Sequence, residues 1–175
     1  MRRAATIFAA VAHLLLLDAV AKELAAHFLK GAVPVSIIPG FFDLAYVENR
    51  GCAWGMFQGA SWPLAAFGAA ALAFLAWKRR DFFFQDAEDW RRPAGSVAEC
   101  LLYAGITGNI IDRVFRGYVI DFLDFHVGSS HFPCFNIADI CITVAAALIV
   151  AASFGNSGNG GDARGASAAA TRRTA

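Results

Sequence analysis

The chain has 175 residues, of which 58% are hydrophobic and 17% are charged, against roughly 25% charged residues in an ordinary soluble domain. This composition argues against a soluble globule and against a disordered chain. Lysine and arginine number 15 against 14 aspartate and glutamate residues, so a net charge of +1 gives no broad basic field that would hold nucleic acid. The four cysteines, Cys52, Cys100, Cys134 and Cys141, form no CxxC motif and are too few for a disulfide scaffold. Whether Cys52 and Cys134 pair with each other stays open.

Four apolar stretches have about the length that a helix needs to cross a bilayer, since a hydrocarbon core of about 30 Å takes roughly 20 residues. They cover residues 4–28, 59–77, 93–111 and 136–154. Short apolar stretches also form the core helices of soluble proteins, but four of them leave too little polar chain to surround them. We therefore predict an all-α polytopic membrane protein with four transmembrane helices.

The distribution of basic residues predicts the orientation of these helices, because loops rich in Lys and Arg stay in the cytoplasm. One side carries ten basic residues, which are Arg2, Arg3, Lys78, Arg79, Arg80, Arg91, Arg92, Arg164, Arg172 and Arg173. The other side carries four, which are Lys30, Arg50, Arg113 and Arg116. Both termini are therefore predicted to be cytoplasmic. We divide the chain into a membrane domain over residues 1–154 and a disordered cytoplasmic tail over residues 155–175, which are rich in Gly, Ser, Asn and Ala.

The first apolar stretch has an alternative interpretation as a secretory signal. Arg2 and Arg3, the apolar run and the small residues at 19–21 are typical of such a signal and its cleavage site. Asp18 lies inside the would-be cleavage region and argues against cleavage. A polytopic chain can also use its first helix as an uncleaved anchor.

The segment 37–55 contains β-forming residues between turn residues, with Pro39 and Gly40 at one end and Asn49, Gly51 and Gly55 at the other. It predicts a small β-rich segment of short strands on the periplasmic membrane surface. An extended backbone of this kind can pair with an extended peptide by adding a strand. A simple interfacial hairpin would have the same pattern.

Carboxylates gather near the outer surface in this topology, at the end of the first helix (Asp18), the end of the third (Asp112) and the start of the fourth (Asp139). An aspartate inside a membrane span costs about 2.5 to 3.5 kcal/mol on insertion scales, so it needs a partner or a function. Lys22 is four residues from Asp18, which predicts a local ion pair. Asp121 has no such local partner in its apolar segment. Two neighbouring carboxylates can share one proton and activate a water between them.

Asparagines accompany these carboxylates. Asn109 lies three residues before Asp112 and four before Arg113, so the three polar groups share one helix face. Asn136 is a natural N-cap for the fourth helix and puts Asp139 at the third helical position, where a carboxylate is favoured. An interhelical clamp and a capping box would by themselves explain these residues.

Taken together, these motifs resemble those of the bacterial lipoprotein signal peptidases, also called signal peptidase II, over roughly residues 10–152. In chain order the motifs are Asp18-x-x-x-Lys22, Pro39-Gly40-Phe41-Phe42, Asn49-x-Gly51-x-Ala53-Trp54-Gly55, Gly108-Asn109-x-x-Asp112-Arg113, Val119-x-Asp121-Phe122 and Phe135-Asn136-x-Ala138-Asp139. The resemblance implies an aspartic endopeptidase of the cytoplasmic membrane that removes the signal peptide of a prolipoprotein immediately before its diacylglyceryl-modified cysteine. It implies no cofactor. The expected partners are prolipoprotein substrates with a lipidated cysteine and membrane lipid, with no nucleic acid, and we expect a monomer.

The resemblance assigns the catalytic pair to Asp121 and Asp139, whereas the residues alone would favour Asp112 as one member. It also implies a set of substrate-binding residues, which are Asn49, Gly51, Asn109, Arg113, Asn136 and Ala138. Asp18, Lys22 and Asp112 are expected to support the site.

Three other functions are open to the same residues. A zinc site would use His126, His131 and Cys134, but their spacing is irregular and no fourth ligand is evident. A small proton- or ion-coupled transporter would also place carboxylates in a membrane, but it predicts polar groups along a path across the bilayer, and here they gather at one face. An assembly subunit would need no Asp121.

Overall fold

The computed structural model describes residues 2–52, 56–83 and 93–157. Its elements are α1 (Arg2–Leu29), β1 (Val35–Ile38), β2 (Phe42–Asn49), α2 (Ser61–Trp77), α3 (Arg79–Phe83), α4 (Pro93–Phe115), β3 (Val119–Val127), β4 (Ser130–His131) and α5 (Ile137–Ser157). Helix α4 is central and packs against α1, α2 and α5. The predicted tail lies outside the described residues, except for residues 155–157, which end α5.

The four strands form one antiparallel sheet in the order β1-β2-β3-β4. Gly40, with φ of 78°, makes the turn between β1 and β2, because glycine adopts a left-handed conformation without steric cost. The pairing of β2 with β3 places Asp121 opposite Val47 and Val119 opposite Asn49. The end of β2 and the start of β3 therefore lie side by side.

The C-terminal half of α1 holds the sheet against the helices. Ala25 and Leu29 of α1 form a buried apolar cluster with Ile120 and Phe122 of β3. The helix continues unbroken through residues 19–21, and Asp18 of α1 accepts a hydrogen bond from the start of α5. The first helix is thus an integral part of the fold, which argues against its interpretation as a cleaved signal.

Helices α4 and α5 approach closely because α4 presents glycines at their contact. A Cβ atom at Gly105 would clash with the carbonyl oxygen of Ala138 on α5. One at Gly108 would lie 3.4 Å from the Cβ of Ala138 and 2.8 Å from Oδ2 of Asp18 on α1. Small residues permit this approach of the two backbones. The start of α5 is thereby fixed against the end of α4.

The predicted all-α architecture with four transmembrane helices is wrong. The described residues contain five helices and a four-stranded antiparallel sheet. Among them, α1 alone is long and apolar enough to cross a bilayer, over Ala4–Leu29 with a mean hydropathy of 2.0. The apolar parts of α2 and α5, Ser61–Trp77 and Ile137–Ser153, are shorter.

Two physical causes explain the difference. The polar residues that α4 contributes near its C-terminal end, Asn109, Asp112 and Arg113, lower the mean hydropathy of that helix. The predicted strands of the segment 37–55 find a partner in β3, which the sequence analysis did not predict as a strand. The sheet is therefore larger than the surface segment that we expected.

Candidate active site

Asp121 lies on β3 with 2% of its surface exposed. Asn49, at the end of β2, donates from Nδ2 to its Oδ2 at 2.9 Å. Asn136, which is fully buried before α5, donates from Nδ2 to its Oδ1 at 2.7 Å. Both carboxylate oxygens are thus held by neutral amide groups.

Asp139 lies in the first turn of α5 and is only partly buried. Its Oδ2 accepts from the backbone N–H of Asn136 at 3.2 Å, while the backbone N–H of Asp139 donates to Oδ1 of Asn136 at 3.0 Å. This reciprocal pair is a capping box, so the predicted N-cap is confirmed. The remaining oxygen, Oδ1, accepts from Nδ2 of Asn109 at 2.8 Å.

Lys22 is the centre of a second group of carboxylates, with 1% of its surface exposed. Its Nζ lies 2.7 Å from Asp18, 3.0 Å from Asp112 and 3.2 Å from Oδ1 of Asn109. Asp18 also accepts from the backbone N–H of Ala138 at 2.9 Å. The predicted pair of Asp18 and Lys22 is therefore present, and it connects α1 to α4 and to the start of α5.

Arg113 connects α4 to the segment after β2. Its Nη1 donates to the backbone carbonyl of Asn109 at 3.2 Å, and its Nη2 donates to that of Gly51 at 3.0 Å. Within the described residues, its buried Nε has no hydrogen-bond partner. A Cβ atom at Gly51 would lie 2.3 Å from the carbonyl oxygen of Met56, so this turn requires glycine.

Both Asp121 and Asp139 line a cavity of about 460 Å³. The other lining residues are Asn49, Cys52, Asn109, Arg113, Val119, Phe132, Pro133, Cys134, Phe135, Ile140, Thr143 and Val144. The lining therefore combines a polar group of residues, which includes the two carboxylates, with a larger number of apolar residues. Its volume suits a small part of an extended chain.

Burial, followed by the negative charge of Asp139, raises the pKa of Asp121 from 3.8 to about 7. The amide donors of Asn49 and Asn136 lower the same pKa, but by less. Burial also raises the pKa of the Cys134 thiol to about 12. At neutral pH the cavity therefore contains a carboxyl group that exchanges its proton readily and a protonated thiol.

The structure brings most of the predicted site residues together. Asp121, Asp139, Asn49, Asn109 and Arg113 line the cavity itself. The other predicted residues contact this lining from behind. Asn136 bonds to Asp121, and the carbonyl of Gly51 accepts from Arg113. The start of α5 is held by the bond from Ala138 to Asp18, and Asp18 in turn shares Lys22 with Asp112. Thr143 also lines the cavity, although the sequence did not lead us to expect it there. It follows Asp139 by one helical turn, and this spacing places the two residues on the same helix face.

The two histidines of the zinc alternative lie on β3 and β4. The rings of His126 and His131 stack with centroids 4.8 Å apart and face Asp43 and Asp124, respectively. In the described parts of the chain, no group of three or more His, Cys, Asp or Glu residues is arranged to hold a metal ion. Cys134 is a free thiol on the cavity wall, and Cys52, which also lines the cavity, hydrogen-bonds from its Sγ to the backbone carbonyl of Met56 at 3.6 Å.

Comparisons with known proteins agree on one family. The family model of signal peptidase (SPase) II matches residues 10–155. The lipoprotein signal peptidase of Symbiobacterium thermophilum is 40% identical over 132 residues, which are 75% of this chain and 83% of the relative. That of Thermodesulfovibrio yellowstonii is 38% identical over 138 residues, which are 78% of this chain and 86% of the relative.

Solved structures of bacterial membrane enzymes have the same fold. One matches with a TM-score of 0.75 and 30% identity, over 89% of this chain and 92% of its own. A second matches with a TM-score of 0.70 and 34% identity, over 85% of this chain and 92% of its own. The transporter alternative finds no support among these relatives. The chain belongs to the signal peptidase II family and is a membrane aspartic endopeptidase that cleaves the signal peptide from diacylglyceryl-modified prolipoproteins immediately before the lipidated cysteine.

Proposed function

We propose that Asp121 and Asp139 are the catalytic pair of this endopeptidase. The observation that supports this most strongly is that both carboxylates line one cavity while only amide groups hydrogen-bond to their side chains. Among the described residues, no lysine or arginine forms an ion pair with either. The pair therefore retains one proton near neutral pH, which an acid-base reaction needs.

The proposed mechanism uses this shared proton. One carboxylate acts as a base on a water molecule that attacks the scissile carbonyl carbon. The other carboxyl group donates a hydrogen bond to the developing oxyanion, and the leaving amine of the lipidated cysteine then takes up a proton from the pair. The two groups titrate as a unit, so the acid and base roles belong to the pair.

The residues around the pair are proposed to hold the substrate backbone. Arg113 lines the cavity, and its guanidinium group is held in place by the bonds from Nη1 and Nη2 to backbone carbonyls, which leave one further N–H on each Nη atom as a donor. Asn49, Asn109 and Asn136 orient the carboxylates, while Gly51 keeps the neighbouring turn narrow. Ala138 contributes its backbone N–H to Asp18, which fixes the start of α5 beneath Asp139.

We further propose that the enzyme is a multi-pass protein of the bacterial cytoplasmic membrane. Both termini would lie in the cytoplasm and the cavity at the periplasmic face, which the ten basic residues against four support. Exposed apolar side chains on three helices, such as Phe8, Phe67 and Val150, support contact with lipid. Reporter fusions at Lys30 and at the C-terminus test this, and an extracytoplasmic C-terminus would contradict it.

We also propose that the enzyme works as a monomer, because one chain supplies both aspartates and the walls of the cavity. Light scattering of the detergent-solubilised enzyme, with the detergent mass subtracted, tests this. Activity confined to a dimer fraction would overturn it.

The experiment that tests the catalytic pair is single-turnover cleavage of a diacylglyceryl-modified precursor by purified enzyme in lipid. Asp121→Asn and Asp139→Asn should each lower the rate by about 10²- to 10⁴-fold, the usual contribution of a general acid or base. Asp112→Asn is the matched control and should reduce it only in part. Substantial cleavage by Asp121→Asn would overturn the proposal and make Asp112 with Asp139 the pair to test.

A further inference from the structure

The α5 wall of the cavity consists of Ile140, Thr143 and Val144, which follow Asp139 by one, four and five residues. These spacings put them on the same side of the helix. Thr143 lies about 6 Å further along the helix axis than Asp139, at about 1.5 Å per residue. Ile140 and Val144 beside it are 41% and 42% exposed, so this side of α5 is an apolar surface with one hydroxyl group in it.

The hydroxyl of Thr143 has no hydrogen-bond partner within residues 2–52, 56–83 and 93–157. A threonine inside a helix commonly donates to the carbonyl oxygen four residues earlier, as Ser153 donates to Ile149 on this same helix. Thr143 makes no such bond. Its donor is exposed at the cavity, on a surface whose other members are apolar.

We propose that the Thr143 hydroxyl donates a hydrogen bond to an ester carbonyl of the substrate's diacylglyceryl group, which makes Thr143 a substrate-positioning residue. The inference rests on the proposed catalytic pair, since it assumes that the scissile bond lies at Asp121 and Asp139. The nitrogen of the scissile bond belongs to the lipidated cysteine, so the Cα of that cysteine lies next to the pair. A short thioether arm connects it to the glyceryl group.

The polar and apolar groups of the substrate follow one another along that arm in the same order as the side chains along α5 that would bind them. The ester carbonyls are the first hydrogen-bond acceptors beyond the cysteine, and Thr143 is the first donor on α5 beyond Asp139. The acyl chains that follow are apolar and fit the surface of Ile140 and Val144. Among the other polar side chains that line the cavity, Asn49 and Asn109 already bond to the aspartates, and Arg113 donates from both Nη atoms to backbone carbonyls.

A pair of substrates separates this hydrogen bond from general packing. One precursor peptide carries the diacylglyceryl group with its ester carbonyls, and the other carries the matching dialkylglyceryl group with ether linkages and no carbonyl. Thr143→Val removes the hydroxyl and keeps the shape. We expect it to raise KM for the ester substrate by about 3- to 10-fold, the range of one neutral hydrogen bond, with kcat unchanged.

The ether substrate should give the same KM with the wild-type enzyme and with Thr143→Val, because neither can form the bond. Thr143→Ser should restore the ester preference. Ser153→Ala removes a hydroxyl from the same helix outside the cavity and is the matched control, which should leave both substrates unaffected. If Thr143→Val folds poorly, Thr143→Ala with the same two substrates provides the comparison.

Equal losses on both substrates would overturn the proposal, because Thr143 would then serve packing or the peptide backbone. An unchanged KM for the ester substrate would overturn it as well. Both results are distinct from failure of the catalytic pair, which would appear as cleavage by Asp121→Asn whatever the residue at 143.

Discussion

Two groups of carboxylates, buried except for the partly buried Asp139, lie on either side of Asn109 and differ in what balances their charge. Asp18 and Asp112 share the ammonium group of Lys22, at 2.7 and 3.0 Å. Asp121 and Asp139 bond to amide groups and to no cation in the described chain. Asn109 connects the groups, since its Oδ1 accepts from Lys22 and its Nδ2 donates to Asp139.

The partners of the two groups indicate which carboxylates can take part in acid-base catalysis. A buried cation supplies the counter-charge of its carboxylates and holds them in one geometry, which suits the anchoring of three helices. Where amides are the only partners, a proton is the remaining means of neutralising the second negative charge. The pKa of Asp121, raised to about 7 mainly by burial, is the consequence.

The largest expected effect is on the pair without a cation. Asp121→Asn and Asp139→Asn should each remove nearly all turnover, and the double variant should be scarcely slower than either, because groups that act as a unit are strongly non-additive. Single-turnover rates at matched membrane levels of all three variants check this. Multiplicative losses in the double variant would mean that the two aspartates act independently.

The second-largest effect is expected on the stability that Lys22 provides with Asp18 and Asp112. Lys22→Met leaves the buried carboxylate of Asp18 without a counter-charge and leaves Asp112 with Arg116 as its one cation among the described residues, and should lower the free energy of unfolding by about 3–5 kcal/mol. Thermal unfolding in detergent and the amount of inserted protein measure this. Lys30→Met is the matched control, because Lys30 pairs with Glu48 at an exposed position and its loss should change Tm little. Equal shifts in Tm for both variants would contradict the expected difference in stability between the buried ion pairs of Lys22 and the exposed ion pair of Lys30.

How far the sequence predicts the two groups depends on the distance along the chain between partners. Asp18 with Lys22, and Asn136 with Asp139, lie within one helical turn, so spacing alone predicted both contacts. The bond between Asn49 and Asp121 joins residues 72 positions apart and depends on the register of β2 with β3. The residues alone indicated that carboxylates near Asp121 could share a proton, but they favoured Asp112 as one member of the pair, and only the family resemblance named Asp121 with Asp139.

The fold was harder to predict for a related reason. The first four residues of β3, from Val119 to Phe122, are all buried, so the alternation that identifies a half-exposed strand is absent. Helix α4 was predicted to span the membrane because its apolar residues dominate locally. Glu99, Asn109, Asp112 and Arg113 interrupt that apolar stretch, and within the described residues α4 is not among the helices that are long and apolar enough to cross a bilayer.

The hydrogen bond from Asn49 provides a subtler test of the pair. It lowers the pKa of Asp121, so Asn49→Leu should raise that pKa above about 7. The monoprotonated pair loses its last proton as pH rises, and the alkaline limb of the rate profile should therefore move to higher pH, by roughly one unit for one bond to a charged group. Single-turnover rates from pH 5 to 9.5 measure the shift.

Asp112→Asn is the matched control for this profile, because Asp112 bonds to Lys22 and Arg116. It should lower activity in part and leave the positions of both limbs unchanged. A shift of the alkaline limb in Asp112→Asn equal to that in Asn49→Leu would remove the distinction between the two carboxylate groups.

The smallest expected effect is the change in stability when Asp139 loses its charge. Asp139→Asn keeps an oxygen that accepts the backbone N–H of Asn136, so the capping box survives. Its new amide group faces the donating Nδ2 of Asn109, and the cost is about one hydrogen bond, no more than about 1 kcal/mol. Asp139→Ala also loses the cap and should be less stable than Asp139→Asn. Thermal unfolding of both variants in detergent measures the order. A loss for Asp139→Asn as large as that for Lys22→Met would mean that Asp139 stabilises the fold as strongly as the group with the cation, which contradicts its assignment to catalysis.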